Sequence, residues 1–165
     1  MTAHYDLKPP NWTSDDRGIY CLLLYLPKRT YVKAGRLGGV YVEPGFVLYV
    51  GRAQRNLFAR LGRHMRRRKP RRWHIDYLFP AAAPLGAFVL DMDGVRECDI
   101  AARLASRPDV RRVIPGFGAS DCRCQGHLLW SPDPKGRAGP AAGRRASANP
   151  PFHLAGATFF PASAW

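Results

Sequence analysis

A strand-like run that stops at a glycine and passes at once into a strongly basic segment constrains this chain more than any other feature. The run is Phe46–Val50, Gly51 ends it, and the following residues read RAQRNLFARLGRHMRRRKPRR. Ten residues from Arg52 to Arg72 are basic and none is acidic. This pattern predicts either a strand, turn and helix that together bind phosphate, or a core strand followed by a solvated helix.

The charge of the whole chain narrows the choice of partner. Its 26 Lys and Arg residues and 12 Asp and Glu residues give a net charge of +14, and 21 of the cations are arginine. The planar guanidinium matches phosphate oxygens, and neutralising a phosphate backbone releases condensed counterions. We therefore expect a nucleic-acid partner, DNA first and RNA second. An anionic membrane and a merely solvated basic face are the alternatives.

Membrane insertion and secretion are not expected. No apolar run approaches the roughly 20 residues of a membrane-spanning helix. The first residues, MTAHYDLKPPNW, lack a basic region followed by an apolar one, so they do not resemble a signal peptide. Without a secretion signal, the four cysteines are interpreted as reduced thiols or metal ligands. The sequence predicts a cytoplasmic protein with no membrane partner.

Composition divides the chain into three parts. Residues 1–16 are polar and interrupted by proline, which predicts an N-terminal arm, and residues 17–130 are expected to form one folded domain. Residues 131–165 contain 22 Ala, Gly, Pro or Ser among 35 positions. Such a segment buries too little apolar surface to offset its ordering entropy, so we expect a disordered tail.

Apolar periodicity predicts the strands. Residues 18–26 and 46–50 fit buried strands, and residues 31–43 between them fit a hairpin. A further strand is expected at 85–90. Two short late strands, over 110–114 and 127–130, surround the sequence PGFGASDCRCQG.

Two helices are also predicted. The first has Asn56 as its N-cap and runs to about Arg68, with apolar positions every four residues. The second covers residues 95–106 and ends before a proline. Residues 73–79, WHIDYLF, fit a strand or a short helix equally well.

Several side chains near these elements suit phosphodiester hydrolysis. Tyr20 and Tyr49 lie on strands, and Glu97 lies near the start of the second helix. Arg60 and His64 are four residues apart, so they project from the same helix face. One carboxylate can hold Mg²⁺, with water and substrate phosphate completing its ligands. Arginine would offset the charge that develops on phosphate, and a tyrosine or histidine could take a proton from the attacking water.

This order of residues resembles the GIY-YIG nuclease superfamily, whose signature is two short strand motifs followed by a helix with an arginine. The first motif here is GIY, ending at Tyr20, and the second reads YVG, beginning at Tyr49, in place of YIG. Arg60 matches the helix arginine, and His64 matches a position that is tyrosine or histidine in such enzymes.

The resemblance continues to about residue 107. Glu97 matches the glutamate that holds the metal, and Arg52 matches a basic residue found after the second motif. The segments PGFGASDCRCQGHLLW, RRWHIDYL and ECDIA resemble one branch of the superfamily, a domain of unassigned function sometimes fused to an endonuclease III-type glycosylase. A DNA-repair glycosylase is therefore the implied protein partner.

The resemblance implies an α/β fold of the α+β type, with a central antiparallel sheet of about three strands flanked by helices. To this the chain adds an extra hairpin and the tail. It implies a DNA endonuclease with Mg²⁺ or Mn²⁺ at Glu97 and catalytic roles for Tyr20, Tyr49, Arg60 and His64. The alternative is a catalytically inactive nucleic-acid-binding module on the same fold. Many family nucleases carry a later asparagine, whereas the only one here after Glu97 is Asn149.

The remaining cations of the basic segment are interpreted as contacts to the nucleic-acid backbone. Together with Arg52 they are Arg55, Arg63, Arg66, Arg67, Arg68 and Lys69.

The cysteines raise a separate hypothesis. Cys122, Cys124 and His127 form a C-x-C-x₂-H run, and Cys98 lies beside Glu97. Tetrahedral Zn²⁺ takes four nitrogen or sulfur ligands, which these four residues could supply. The C-x-C spacing is tighter than in usual zinc sites, so small buried thiols near a turn are the alternative.

Overall fold

The computed structural model describes residues 16–91, 93–133 and 152–165. The strands are β1 Gly18–Leu26, β2 Thr30–Lys33, β3 Gly39–Val42, β4 Gly45–Ala53, β5 Ala83–Leu90, β6 Arg111–Arg112, β7 Leu128–Ser131 and β8 Thr158–Pro161. The helices are α1 Leu57–Met65 and α2 Glu97–Ala105, with short 3-10 helices at Gly35–Leu37, His74–Tyr77 and Ala162–Ala164. No helix in the described ranges is long and apolar enough to cross a bilayer.

Six strands form one antiparallel sheet in the order β6-β7-β4-β1-β5-β8. The predicted α+β class, with an antiparallel sheet and flanking helices, is confirmed. The expected three strands correspond to the centre, β4-β1-β5, and the sheet is wider because β7, β6 and β8 add to its edges. The extra hairpin is also present, as the separate two-stranded ribbon β2–β3.

Strand β1 is central and all nine of its residues are buried, because both faces of the sheet are covered. Tyr20 and Leu22 face a core that includes residues of α1 and of the β2–β3 ribbon, here called the α1 face. Cys21 and Leu23 face the opposite core, which includes residues of α2 and is here called the α2 face. This alternation places the Tyr20 hydroxyl on the side of the basic helix.

Helix α1 begins where predicted, with Asn56 at the N-cap position, and ends at Met65, earlier than the predicted Arg68. Asn56 has left-handed backbone, with φ 54°, and its side chain makes no cap hydrogen bond. Asp16 supplies the capping hydrogen bonds that the Asn56 side chain does not make: its carbonyl oxygen accepts from the N–H of Leu57 at 3.0 Å and its Oδ1 accepts from that of Phe58 at 3.1 Å. The helix ends at Met65 because Arg66 adopts extended backbone, with ψ 130°.

The prediction that residues 131–165 are disordered is wrong for the part that the structure describes. Strand β8 pairs with β5, and Trp165 stacks on Phe58 with ring centroids 6.2 Å apart. Phe152 is buried on the α2 face. The aromatic residues of this segment thus supply the apolar surface that its average composition lacks. Residues 134–151 and 1–15, which belong to the predicted tail and arm, lie outside the described residues.

Candidate active site and metal centre

A cavity of about 420 Å³ opens on the α1 side of the sheet. The residues around it come from β1, β4, α1, the start of α2 and the loop before β7. Seven of the residues singled out from the sequence line it: Tyr20, Tyr49, Arg52, Arg55, Arg60, Glu97 and His127. With Arg72 the wall carries four arginines, against the carboxylates of Glu97 and Asp121, so the cavity favours an anion.

The tyrosine of each motif lies against a glycine at the point where its side chain enters the cavity. Tyr20 is the cross-strand partner of Gly51, and a Cβ added to Gly51 would lie 2.4 Å from Tyr20 Cζ. Tyr49 lies over Gly118, where a Cβ would fall 2.7 Å from Tyr49 Cε2. The glycine of the YVG motif is therefore required by the ring of the tyrosine in the GIY motif.

His64 lies beneath the tyrosines and not on the cavity wall. Its ring is fully buried, and its Nε2 is 3.1 Å from the Tyr20 hydroxyl. Burial lowers the pKa of His64 to about 3, so the ring is neutral. The expectation that His64 touches water or phosphate directly is therefore corrected, because the rings of Tyr20, Tyr49 and Trp73 surround it. It can act only through Tyr20.

The hydroxyls of the two tyrosines are held in their neutral form. Burial raises the pKa of Tyr20 to about 12, although the nearby Arg60 guanidinium opposes the shift. Burial raises the pKa of Tyr49 as well. At neutral pH both groups can orient a substrate or a water molecule by hydrogen bonding, and proton removal from either is costly.

Arg60 is fixed at the wall of the cavity. Its Nη1 donates to the carbonyl oxygen of Arg52 at 2.9 Å, and its guanidinium lies 5.2 Å from the centroid of the Trp73 ring. These contacts leave it facing the same space as Tyr20. A positioned guanidinium of this kind is suited to a phosphate oxygen.

Glu97 supplies a buried carboxylate oxygen that accepts no hydrogen bond from the described residues. It is the first residue of α2 and is only 7% exposed. Its Oε2 is 3.6 Å from Arg52 Nε, which is an ion-pair distance, and within the described part of the chain this atom has no hydrogen-bond partner. A buried carboxylate oxygen of this kind fits a hard divalent cation, because such ions take oxygen ligands and share substrate phosphate.

The basic segment separates into two groups. Arg66, Arg67 and Arg68 are exposed after α1 and remain available for a polyanion. Arg63 and Lys69 do not, because their side chains are only 17% and 4% exposed.

Arg63 and Lys69 both bind Asp76, which the sequence analysis did not identify. Arg63 Nη2 is 3.0 Å from Asp76 Oδ2, and Lys69 Nζ is 3.5 Å from Oδ1. Backbone N–H groups of Arg72 and Trp73 donate to the same carboxylate. The prediction that Arg63 and Lys69 contact nucleic acid is corrected: they neutralise a buried carboxylate instead.

Four soft ligands meet beside Glu97. Cys98 comes from α2. The other three ligands lie in the loop that precedes β7: Cys122, Cys124 and His127, which is the last residue of the loop. Their ligand atoms all lie within 4.8 Å of one another. The short distances include 2.8 Å between Cys124 Sγ and His127 Nε2 and 3.2 Å between Cys98 Sγ and Cys124 Sγ. This cluster could hold a metal ion.

His74 also lines the cavity and was not identified from the sequence. His74 accepts a hydrogen bond at Nδ1 from the Gly118 N–H at 3.0 Å, which fixes its ring. Asp121 lies on the loop that carries the cysteines. Asp121 was interpreted from the sequence as either a turn residue or a residue of the cleft, whereas His74 belongs to a segment without clear periodicity, so its spacing gave no reason to place it near Tyr20.

Comparison with known proteins places the chain in a family without an assigned activity. A protein-family model described as "Domain of unknown function DUF123" matches residues 19–140. The chain belongs to this family. No curated protein and no solved structure matched it.

Proposed function

We propose that this protein is a metal-dependent DNA endonuclease that hydrolyses phosphodiester bonds. The observation that carries the proposal is a cavity that combines the Glu97 carboxylate, one oxygen of which has no hydrogen-bond partner among the described residues, with arginines and two tyrosine hydroxyls. Each group has a task in attack on phosphorus, where negative charge grows on the phosphoryl oxygens and a water must lose a proton. The exposed arginines after α1 would contact the adjacent backbone.

In this mechanism the residues that line the cavity have different roles. Arg60 and Arg52 would bind the phosphoryl oxygens and offset their charge. Tyr20 would receive the water proton or hold the water through its hydroxyl, and Tyr49 would orient the phosphate. Glu97 would hold Mg²⁺ or Mn²⁺, and such an ion supplies Lewis-acid stabilisation of the transition state when it is bound.

The pKa of Tyr20 has a consequence for this role. Because it is raised to about 12, only a small fraction of Tyr20 is ionised near neutral pH. If Tyr20 is the base, log rate should rise with pH between about 7 and 9 with a slope near one. Tyr20→Phe should remove that slope as well as lower the rate.

The test of the proposal is a cleavage assay on supercoiled plasmid and branched DNA with Mg²⁺, Mn²⁺ or EDTA. Glu97→Gln should abolish metal-dependent nicking and keep DNA binding. Asp99→Asn is the matched control, because Asp99 is in the same helical turn but is exposed and paired with Arg96. Undiminished cleavage by Glu97→Gln, or equal loss in both variants, would contradict the role of Glu97.

A binding module without catalysis is the second candidate. The observation that favours it is the raised pKa of Tyr20, which makes this hydroxyl a poor proton acceptor. This candidate predicts tight, salt-dependent binding of DNA and no turnover with either metal.

We further propose that the cysteine cluster binds zinc. Three thiols and one imidazole are a soft tetrahedral set, and Zn²⁺ would hold their atoms about 3.6 to 3.8 Å apart. The present separations, 2.8 to 3.6 Å for the pairs that include His127 Nε2, require only a small expansion.

Zinc at this position would brace the cavity. His127 lines the cavity, its N–H donates to the Phe117 carbonyl at 2.7 Å, and its carbonyl accepts from the Val50 N–H at 3.1 Å. Elemental analysis should therefore give one zinc per chain, lost in Cys124→Ser and kept in Cys21→Ala, which changes a buried thiol on the α2 face. Zinc below stoichiometry in the unaltered protein would contradict this assignment.

A further inference from the structure

Two tyrosines stand on the surface of the β2–β3 ribbon. Tyr31 is 55% exposed and Tyr41 is 58% exposed, and they are the only large hydrophobic residues so exposed among those that the structure describes. They are direct cross-strand partners, and their ring centroids are 5.1 Å apart with the planes inclined at 58°. A paired aromatic surface of this kind is unusual for a position that only faces water.

The pair is held in place by its neighbours. A Cβ added to Gly39 would lie 2.2 Å from the Tyr31 hydroxyl oxygen, so the Tyr31 ring lies across the glycine on the opposite strand. The Arg29 guanidinium lies 4.2 Å from the centroid of Tyr41, and Glu43 fixes it with an ion pair of 2.8 Å. The rings are therefore oriented before any ligand arrives.

The ribbon is anchored on the same side of the sheet as the cavity. Val32 and Val42, which alternate with the tyrosines, are buried in the core of the α1 face. Leu37 approaches the loop that lines the cavity, since a Cβ on Gly116 would be 3.4 Å from it. The tip of the ribbon therefore lies beside the loop that continues into the cavity wall.

The charge around the ribbon identifies the class of ligand. Residues 28–43 contain four cations, Lys28, Arg29, Lys33 and Arg36, and one acidic residue, Glu43, which is paired with Arg29, so the ribbon keeps a net positive charge. A second copy of this chain would bring its own surplus of positive charge to this surface. Aromatic rings interleaved with cations are instead the surface that binds bases through stacking and phosphates through charge.

We propose that Tyr31 and Tyr41 form a stacking platform for an unpaired nucleobase flanked by phosphates. The inference rests on the proposed function, in that the stacked base and the phosphate in the cavity belong to one nucleic acid. The platform would direct the cavity to sites with unpaired nucleotides, because a fully paired base offers no free ring face. DNA and RNA share this chemistry.

The test is equilibrium binding of short oligonucleotides that carry 2-aminopurine, measured in EDTA so that cleavage plays no part. A Tyr31→Ser, Tyr41→Ser double variant should bind single strands roughly tenfold to a hundredfold more weakly and lose the quenching caused by stacking. The Tyr31→Phe, Tyr41→Phe double variant is the matched control and should bind within about twofold of the unaltered protein. Neither change removes a cation, so the salt dependence should stay the same.

Three comparisons, with duplex, single-stranded DNA and single-stranded RNA, distinguish the possible results of this experiment. Affinity for a fully paired duplex should be the same in both double variants, and single-stranded DNA and RNA compared side by side identify the source of the base. Equal binding of single strands by the serine variant, or equal weakening toward duplex, would overturn the platform. Cleavage by the unaltered protein is measured separately with Mg²⁺ or Mn²⁺, so the two proposals fail independently: stacking without cleavage in the unaltered protein refutes only the proposed enzyme, and cleavage without stacking refutes only the platform.

Discussion

The molecule contains two pairs of tyrosines on the same side of its sheet, and they differ in burial. Tyr20 and Tyr49 are 3% and 6% exposed, whereas Tyr31 and Tyr41 are more than half exposed. Tyr20 and Tyr31 each lie across a glycine of a neighbouring strand. Burial leaves the hydroxyls of the first pair at the cavity, whereas the second pair exposes part of its ring surface to solvent although Arg29 lies over the Tyr41 ring. The same residue type is thus suited to acid–base chemistry in one place and to stacking in the other.

The largest expected effect comes from filling the two glycine positions. Gly51→Ala would bring a Cβ within 2.4 Å of the buried Tyr20 ring, which has no room to move, so we expect a loss of about 3 kcal/mol in the free energy of unfolding. Gly39→Ala would bring a Cβ within 2.2 to 2.9 Å of the Tyr31 hydroxyl and ring and would displace this ring from the glycine; because the ring is 55% exposed, the displacement should cost less than about 1 kcal/mol. Chemical denaturation of the two variants measures both values. Equal losses in the free energy of unfolding would show that the Tyr31 ring is as tightly constrained as the Tyr20 ring.

An intermediate loss of stability is expected at acid pH, because His64, which contacts the Tyr20 hydroxyl, is buried in its neutral form. Folded His64 stays neutral down to about pH 3, whereas in the unfolded chain its pKa returns to about 6.5. The unfolded state therefore binds one more proton between these values. The free energy of unfolding should fall as pH decreases from about 6.5, by up to about 1.4 kcal/mol per pH unit.

His64→Phe isolates this contribution. The variant starts from a lower stability because Tyr20 loses its partner, but its stability should depend less on pH between 6.5 and 4. The pKa of Asp76 is already lowered by its hydrogen bonds, so its protonation affects stability below that window. Parallel pH profiles for the two proteins would show that His64 is not the acid-sensitive group.

The smallest effect concerns the support of the exposed pair. Arg29→Ala removes a surface ion pair with Glu43 and a cation–π contact with Tyr41, and both partners are largely exposed. Stability should change by less than about 1 kcal/mol. Binding of single-stranded oligonucleotides should weaken slightly more in Arg29→Ala than in Arg66→Ala, because Arg29 also orients a ring. The reverse order would show that charge alone matters on the ribbon.

Local sequence patterns were sufficient to predict the centre of the fold. The strand at 18–26, the hairpin after it and the alternation that buries Cys21 opposite Tyr20 all depend on near neighbours in the chain. Elements that depend on distant partners were not predictable. Asp16 caps α1 from more than 40 residues away, and β8 pairs with β5 and packs its aromatic side chains on Phe58 and Phe88.

The same distinction applies to the candidate site. The positions of Tyr20, Tyr49, Arg60 and Glu97 around one cavity agree with the order of the sequence motifs. The burial of His64 could not be read from its spacing to Arg60, because a helix face does not indicate how deep each position lies. In the sequence Arg63 and Lys69 resemble the exposed arginines beside them, because their ion pairs with Asp76 depend on the tertiary structure.

Strand β8 also bears on how this protein behaves in shortened form. It covers the outer edge of β5, where Gly86–Val89 would otherwise present unpaired N–H and C=O groups next to apolar side chains. An uncovered edge of that kind is a template for pairing between molecules and for aggregation. A fragment cut before Thr158 retains every residue of the cavity but exposes this edge, so its solubility, and not its chemistry, would limit its use.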